Sequence, residues 1–372
     1  MRNKPFLNFF IFYFFYAWAS TFARAILPTH FLNEGLKLEQ MILGYAIFFL
    51  GEITLFFFIK KFYSNIFWAI AILLFILYLA LLMNIVDVFQ FYVANLIGGF
   101  IVFLFWIPTN IAYFEKLPKE KTGHGAAWMF SLFPIVSIVA SFVAGLTGKY
   151  NMIFFWGVSI FFFLIPLFLV KYQHNFNFSY SIKDAIKEVK ATRVFIFLSG
   201  VWDSILFGLI PIYTLFFIKT PFEYGSYIAY LGVMGALANI IFGRLTDRIR
   251  KRALFLYPVC FVLAMLTFIF PLGTNNLIFW IMITGVIQFF TPFFWNLTTT
   301  LVVDSNSDLR LAMTGRELIL AAGRVTGLLL TFLSFTFEKT PFYLFFVLGF
   351  AMLLIPLNLL LNTRIRKTYK YL

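Results

Sequence analysis

Apolar stretches alternate with short polar segments along nearly the whole chain. Twelve of these stretches are long enough to cross a bilayer, since about 20 apolar residues span the hydrocarbon core as a helix. The pattern therefore predicts an all-α integral membrane protein with twelve transmembrane helices. Their predicted ranges are 5–28, 40–60, 65–86, 88–114, 123–147, 151–171, 193–218, 223–243, 253–272, 276–303, 310–337 and 341–361.

A polar segment near the middle of the chain, residues 172–192, separates two groups of six predicted helices. Four apolar residues of this segment recur at helical spacing: Ile182, Ala185, Ile186 and Val189. Lysines occupy the other side of the same helix, which is typical of an amphipathic helix at a membrane surface. We therefore expect an N-terminal bundle (1–171), a cytoplasmic linker helix and a C-terminal bundle (193–372). The linker is expected to be a tether, with a regulatory role as the alternative.

The two predicted bundles repeat the same residues in the same order. The matched pairs are Trp18 and Trp202, Ser20 and Ser204, Pro28 and Pro211, Trp106 and Trp295, and Thr109 and Thr298. Their offsets grow slowly, from 183 or 184 residues in the first pairs to 189 in the last. Similarity at a nearly constant offset indicates an internal structural repeat. The sequence thus predicts two pseudo-symmetric six-helix bundles.

Composition and charge support a membrane protein and predict its orientation. Hydrophobic residues make up 62% of the chain and charged residues 12%, whereas a soluble domain carries about 25% charged residues. If both termini are cytoplasmic, the cytoplasmic segments hold 22 of the 29 Lys and Arg residues, in agreement with the positive-inside rule. We expect a multi-pass protein of the cell (plasma or inner) membrane with cytoplasmic N- and C-termini. Loops facing anionic lipid explain the net charge of +14 without a nucleic-acid partner.

One polar motif, GRLTDRIRKR, runs from Gly243 to Arg252 between the eighth and ninth predicted helices. It resembles the loop signature Gly-x-Leu-x-Asp-Arg-x-Gly-Arg-Arg/Lys of the major facilitator superfamily, with Ile249 where that family has its second Gly. The loop between the second and third helices, IKKFYSN, lacks the acid of the family's stronger copy. Together with the twelve helices, the cytoplasmic termini and the central linker, the motif makes the whole chain similar to that family.

This resemblance implies a fold of two six-helix bundles and a transport mechanism by alternating access. It also implies gating residues within the motif: Gly243, Asp247, Arg248 and Arg250. An acid beside a helix N-terminus is favoured by the helix dipole. We expect Asp247 to face the start of the fifth helix and to help hold the outward-open state. The alternative is that the basic residues of the motif only set the topology.

Ionisable side chains inside membrane spans are costly and usually functional. Away from their ends, the predicted spans contain six charged residues: Arg24, Glu52, Asp203, Arg316, Glu317 and Arg324. The three acids are predicted to be proton-coupling sites. Arg24 and Arg324 suit an anionic group of a substrate, because arginine stays charged and binds oxyanions bidentately. They also suit neutralisation of Glu52 and Asp203, and buried ion pairs that hold helices together are the alternative to a binding role.

Aromatic and polar residues share one face of the first, fourth and tenth predicted helices. Small-molecule sites usually combine aromatic walls with a few polar groups, whereas interhelical packing is the alternative role. The residues predicted to bind substrate are Tyr13, Tyr16, Ser20, Arg24, Trp106, Asn110, Gln288, Trp295, Asn296 and Arg324.

These features predict a secondary active transporter that moves a small organic solute by alternating access. Aromatic walls favour proton-driven export of lipophilic compounds, whereas the buried arginines favour an anionic organic metabolite. A non-transporting sensor, a lipid scramblase and a membrane-embedded transferase are the alternatives from other classes. No phosphate-binding Gly-Lys-Ser/Thr loop is present, so ATP hydrolysis is not indicated.

The expected partners are the substrate and the lipid bilayer, and the expected state is a monomer. Three scattered histidines and one cysteine, Cys260, have no metal-ligand spacing. We therefore expect no metal, no cofactor and no catalytic residue.

Overall fold

The computed structural model describes residues 4–116, 122–249, 252–337 and 342–362, with side chains except at 4–5, 122–124, 239–249 and 252–254. The described residues form fifteen α-helices and two strands. The helices are α1 (Lys4–Arg24), α2 (Leu27–Asn33), α3 (Leu38–Phe58), α4 (Ser64–Met83), α5 (Val88–Phe114), α6 (Thr122–Tyr150), α7 (Met152–Leu169), α8 (Ile182–Glu188), α9 (Arg193–Ser204), α10 (Ile210–Tyr213), α11 (Pro221–Ile249), α12 (Arg252–Gly273), α13 (Leu277–Ser305), α14 (Leu309–Phe337) and α15 (Phe342–Leu361). The strands are β1 (Lys61–Tyr63) and β2 (Asn177–Ser179).

Every predicted span coincides with a long helix or with a pair of helices in line. Helices α1 and α2 form the first span, and α9 continues through a π-helical segment, Ile205–Leu209, into α10 to form the seventh. Within the described residues, eleven spans are long and apolar enough to cross a membrane. Helix α11, 29 residues long, coincides with the remaining predicted span.

The outer faces of the helices carry large apolar side chains. Ile153 and Phe161 of α7 are 79% and 60% exposed, and Phe350 of α15 is 58% exposed. Large apolar side chains exposed on helices long enough to span a bilayer indicate contact with lipid. The interior is filled with aromatic rings, so the bundle core and the lipid-facing surface are both apolar.

The first and seventh spans are broken at equivalent places. Pro28 lies at the start of α2 and Pro211 at the start of α10. Proline has no N–H and cannot donate to the carbonyl four residues earlier, which belongs to Arg24 in one half and Phe207 in the other. The repeat therefore places Arg24 and Phe207 at corresponding helix breaks.

The loop after α3 pairs with the central linker. Strands β1 and β2 are antiparallel, and Phe62 of β1 lies opposite Phe178 of β2. The two rings stack with centroids 4.8 Å apart. The hydroxyl of Tyr180 donates to the carbonyl of Ile59 at 2.7 Å, and burial raises the pKa of this phenol, so it remains a donor at physiological pH. The linker is thus anchored to the N-terminal half.

The linker also contacts the C-terminal half. Helix α8 packs on α14, and one oxygen of Glu188 accepts from the backbone N–H groups of Ser307 and Asp308 at 2.7 and 2.9 Å. Arg310 of α14 bridges to Glu115 after α5. We call the end of the molecule that carries β1, β2 and α8 the linker end, and the opposite end the far end.

Tyr180→Phe is expected to weaken the attachment of the linker by about 1 kcal/mol, the usual worth of a hydrogen bond. The linker would then detach about fivefold more often, and limited proteolysis between α7 and α9 should accelerate by that factor. Tyr172→Phe is the matched control, because Tyr172 is 54% exposed. Equal cleavage rates in the two variants would contradict the anchoring role.

The two halves meet mainly along two helix pairs, α6 with α11 and α3 with α14, and α13 also contacts α6 as α14 contacts α5. Toward the far end, Gly145 of α6 faces Gly225 of α11. A Cβ atom at Gly225 would lie 2.5 Å from the carbonyl oxygen of Ser141 and 2.7 Å from the Cα of Gly145. Only glycine allows the two backbones to approach this closely.

Candidate functional site

Five ionisable side chains form a buried cluster where α3, α9 and α14 meet. Its members are Glu52, Asp203, Arg316, Glu317 and Arg324. They come from both halves of the molecule, because α3 belongs to the N-terminal half and α9 and α14 to the C-terminal half. The cluster therefore lies at the interface that has to rearrange if the halves move.

Asp203 and Arg324 form the best-bonded pair of the cluster. Nε and Nη2 of Arg324 donate to one oxygen of Asp203 at 3.0 and 2.8 Å, and the indole N–H of Trp295 donates to the other oxygen at 3.0 Å. The guanidinium also lies 5.1 Å from the ring centre of Phe49 and 4.8 Å from that of Phe207. Both oxygens of Asp203 thus accept hydrogen bonds, and each buried charge of the pair has an opposite charge beside it.

Arg316 and Glu317 form a second pair, which links α14 to its neighbours. Arg316 donates to Glu317 and to the hydroxyl of Thr299 on α13 at 2.9 Å. The side-chain amide of Asn110 on α5 donates to the same Glu317 oxygen at 3.2 Å. Glu317 thus joins the two halves through a hydrogen bond.

Glu52 differs from the other members. It is fully buried, and neither carboxyl oxygen has a hydrogen-bond partner among the described residues. Glu317, Arg324 and Arg316 are close enough to act on it electrostatically. Counted with all groups ionised, the cluster has three carboxylates and two guanidinium groups, so it carries one negative charge in excess.

Arg24 lies elsewhere in the N-terminal half, in the last turn of α1. It is partly buried, and its guanidinium lies 4.8 Å from the ring centre of Phe75 and 5.3 Å from that of Phe48. In the part of the chain that the structure describes, it forms no ion pair. It therefore differs from Arg316 and Arg324, each of which has an acidic partner.

Some of the other residues predicted to bind substrate contact a second predicted residue or the cluster, and the rest do not. Tyr13 contacts Trp106, with centroids 6.1 Å apart, and its hydroxyl lies 3.4 Å from the carbonyl of Met129. Trp295 stacks on Phe207. The remaining four residues take part in neither of these two ring contacts. Tyr16 stacks on Phe105, Ser20 donates to the carbonyl of Ala17, Gln288 lies beside Gly235, and Asn296 is buried.

Sequence reasoning missed two aromatic residues at the cluster, Phe49 and Phe207, which face Arg324. Thr299, which accepts from Arg316, shares the predicted polar face of the tenth helix with Gln288 and Trp295. Phe207 follows Asp203 by one helical turn, which was the available signal. The chain has 56 phenylalanines, so this spacing alone does not distinguish a ring at the cluster from one that faces lipid.

The predicted gating motif is described only in part. Gly243, Asp247 and Arg248 lie in the last turns of α11, which continues to Ile249, and only their backbone is described. Arg250 lies outside the described residues. The gating role of these four residues stays a prediction.

The described residues contain no group of three or more His, Cys, Asp or Glu side chains that could hold a metal ion.

The chain is similar to known membrane transporters in sequence profile and in fold. The sequence profile of the Major Facilitator Superfamily matches residues 9–315. Comparison with curated protein sequences finds no match. Among solved structures, the human organic anion transporter MFSD10 (TETRAN) is similar, with a TM-score of 0.69 and 11% identity over 96% of this chain and 99% of that one.

Two bacterial structures are also similar. A homologue of the iron transporter ferroportin in its outward-facing state has a TM-score of 0.70 and 14% identity, over 98% of this chain and 99% of its own. A bacterial metal transporter has a TM-score of 0.60 and 14% identity, over 96% and 98%. Similarity at these identities shows a common fold.

Proposed function

This chain belongs to the Major Facilitator Superfamily and is a multi-pass membrane transporter, and from that premise we propose a proton-coupled secondary transporter of a small organic solute. The two halves would rock about the central cluster so that the site opens alternately to either side. We propose that the protein lies in the cell membrane with its linker end facing the cytoplasm. Lys and Arg concentrate at that end, and cytoplasmic loops of membrane proteins are enriched in these residues.

The observation that carries the proposal is the isolation of Glu52. A buried carboxylate without hydrogen bonds is costly, whereas the protonated acid is far less so. One proton on Glu52 would also cancel the excess negative charge of the cluster. Glu52 is therefore the group at which gaining or losing a proton changes the energy of the interface most directly.

The location of Glu52 connects that proton to the movement of the halves. Glu52 lies on α3 and its acidic neighbour Glu317 on α14, which belong to different halves. When both are ionised, they repel each other across a buried contact, where charges are poorly screened. Protonation of Glu52 would favour the contact between α3 and α14, and release of the proton would favour their separation.

Aromatic residues from both halves support an organic substrate. Trp295 lies beside Phe130 and Phe207, and Trp106 packs with Phe133. The central arginines already have acidic partners, so these rings offer the better contact for a substrate. Export of lipophilic compounds is the direction that we propose on this basis.

Glu52→Gln is expected to remove proton coupling, because glutamine resembles the protonated acid and cannot release a proton. The protein would be reconstituted in vesicles loaded with the pH dye pyranine. Lipophilic cations, organic acids, sugars, amino acids and nucleosides would be added in turn, and substrate-driven proton movement recorded. We expect that signal to be lost, because the substituted side chain can neither gain nor release a proton.

Glu223→Gln is the matched control for this experiment. Glu223 is exposed at the start of α11, and its replacement should leave coupling unchanged. Full gradient dependence in both Glu52→Gln and Asp203→Asn would reject the coupling mechanism. Absence of flux for every compound class would reject the transport proposal itself.

A further inference from the structure

A set of hydrogen-bond donors surrounds Arg24 in the N-terminal half. Three tyrosine hydroxyls lie within range of the charge of its guanidinium: Tyr16, Tyr45 and Tyr78. None of the three hydroxyls has a hydrogen-bond partner within the residues that the structure describes. A phenol is a good donor to an anion, and a guanidinium can only donate. Phenol oxygens can also accept, but among the described residues the set contains no anionic acceptor to balance the charge of Arg24.

Helical spacing brings these groups together. Tyr45 and Phe48 are one turn apart on α3, as are Phe75 and Tyr78 on α4, so each pair lies on one helix face. Helix α5 makes room for them at Gly98. A Cβ atom at this position would lie 2.6 Å from the ring of Phe48 and 3.1 Å from that of Tyr78.

The charge of Arg24 makes the absence of an anionic acceptor among the described residues significant. A charged group inside a membrane span is normally paired, and Arg316 and Arg324 follow that rule. Arg24 instead has two aromatic faces and three hydroxyls, with no carboxylate in contact among the described residues. The faces of aromatic rings stabilise a cation only modestly, so an anion would satisfy this site better.

We propose that Arg24, Tyr45 and Tyr78 bind the oxyanion head group of an amphipathic organic acid, a carboxylate, sulfonate or phosphate. The apolar part of the acid packs against Phe48 and Phe75. This inference rests on the proposed function, because it names the substrate class of the same transporter: a lipophilic anion. It places the head group in the N-terminal half, apart from the Asp203–Arg324 pair.

The same head-group chemistry occurs in a soluble acid and in an anionic lipid. Two arms of one experiment distinguish them. In the first, the protein is held in nanodiscs of phosphatidylcholine alone, and binding of 4-phenylbutyrate, benzenesulfonate and phenyl phosphate is measured by calorimetry. In the second, phosphatidylglycerol replaces part of the lipid, and the shift in thermal stability is measured. The uncharged 4-phenylbutanamide is the matched control ligand.

Wild-type protein is expected to bind at least one of the three acids more tightly than the amide. Arg24→Gln should weaken that binding tenfold or more, the effect of losing a hydrogen bond to a charged group. The double variant Tyr45→Phe/Tyr78→Phe keeps the rings and the charge, removes two hydrogen bonds and should weaken binding roughly 30-fold. It also serves as the test if Arg24→Gln does not fold. Arg193→Gln removes an exposed arginine and should change nothing.

Each outcome decides the proposal. Binding of an acid that depends on Arg24 identifies a soluble substrate. A stability shift with phosphatidylglycerol that depends on Arg24, without acid binding, identifies the head group as that of a lipid. If neither appears, or if Arg24→Gln and the double tyrosine variant leave acid affinity unchanged, the anion site is wrong. These are binding measurements, so loss of proton coupling in Glu52→Gln tests the proposed function separately.

Discussion

Asp203→Asn is expected to destabilise the protein by about 3–5 kcal/mol, because it leaves the guanidinium of Arg324 buried without a counter-charge. Asp203 is 1% exposed and accepts from both Arg324 and Trp295, so solvent cannot replace the lost charge. Asparagine has nearly the same volume, and the change therefore tests charge instead of packing. Unfolding by heat or denaturant in detergent measures it.

Two further variants control this prediction. Asp203→Asn/Arg324→Gln removes both charges and should recover most of the lost stability. Glu115→Gln breaks the ion pair between Glu115 and Arg310, whose side chains are 34% and 37% exposed, respectively. This change should lower the free energy of unfolding by less than about 1 kcal/mol. A double variant as unstable as Asp203→Asn would show that the two side chains do not act as a pair.

Gly225→Val is expected to disrupt the contact between α6 and α11 near the far end. The new side chain would meet the backbone of Ser141 and Gly145, and backbone cannot move aside as a side chain can. Overpacking of this kind costs about 1–3 kcal/mol, which corresponds to a population shift of roughly 5- to 150-fold. Conformations in which α6 and α11 are apart should therefore gain population.

A cysteine reporter at Ser141 measures this shift. Ser141 is fully buried at the contact, so Ser141→Cys should react slowly with a thiol reagent in the parent protein and faster in Gly225→Val. The natural Cys260 is also fully buried, which keeps the background low. Gly157→Val is the matched control, because no atom lies within 4 Å of its Cβ position. Equal labelling in both valine variants would contradict the prediction.

Hydrophobic pattern predicted the fold because a lipid environment leaves few solutions. Every backbone polar group must be satisfied inside a span, so a long apolar stretch becomes a helix. The fold class and the family membership are confirmed. The repeat paired Pro28 with Pro211 but did not predict the breaks there, because a proline alone does not mark a break: Pro108, Pro134 and Pro292 lie inside continuous helices.

Pairing of the charged residues could not be predicted in the same way. Glu317 and Arg324 are seven residues apart and share a helix face, yet Arg324 pairs with Asp203 on α9 and Glu317 contacts Asn110 on α5. Partners on other helices depend on how the helices pack, which periodicity does not encode. The strands β1 and β2 were missed for a related reason: three residues are too few to show an alternating pattern.

The pairing of β1 with β2 has a consequence for biogenesis. Strand β1 emerges from the ribosome directly after α3, whereas β2 emerges only after the four further helices α4–α7. Four crossings return the chain to the side from which it started, whereas an odd number would not, so the strands can pair only if no single crossing has been skipped. A skipped crossing would leave Phe62 and Phe178 on opposite sides of the membrane. Formation of the small sheet thus depends on correct insertion of α4–α7, which precede α9, the first helix of the C-terminal half.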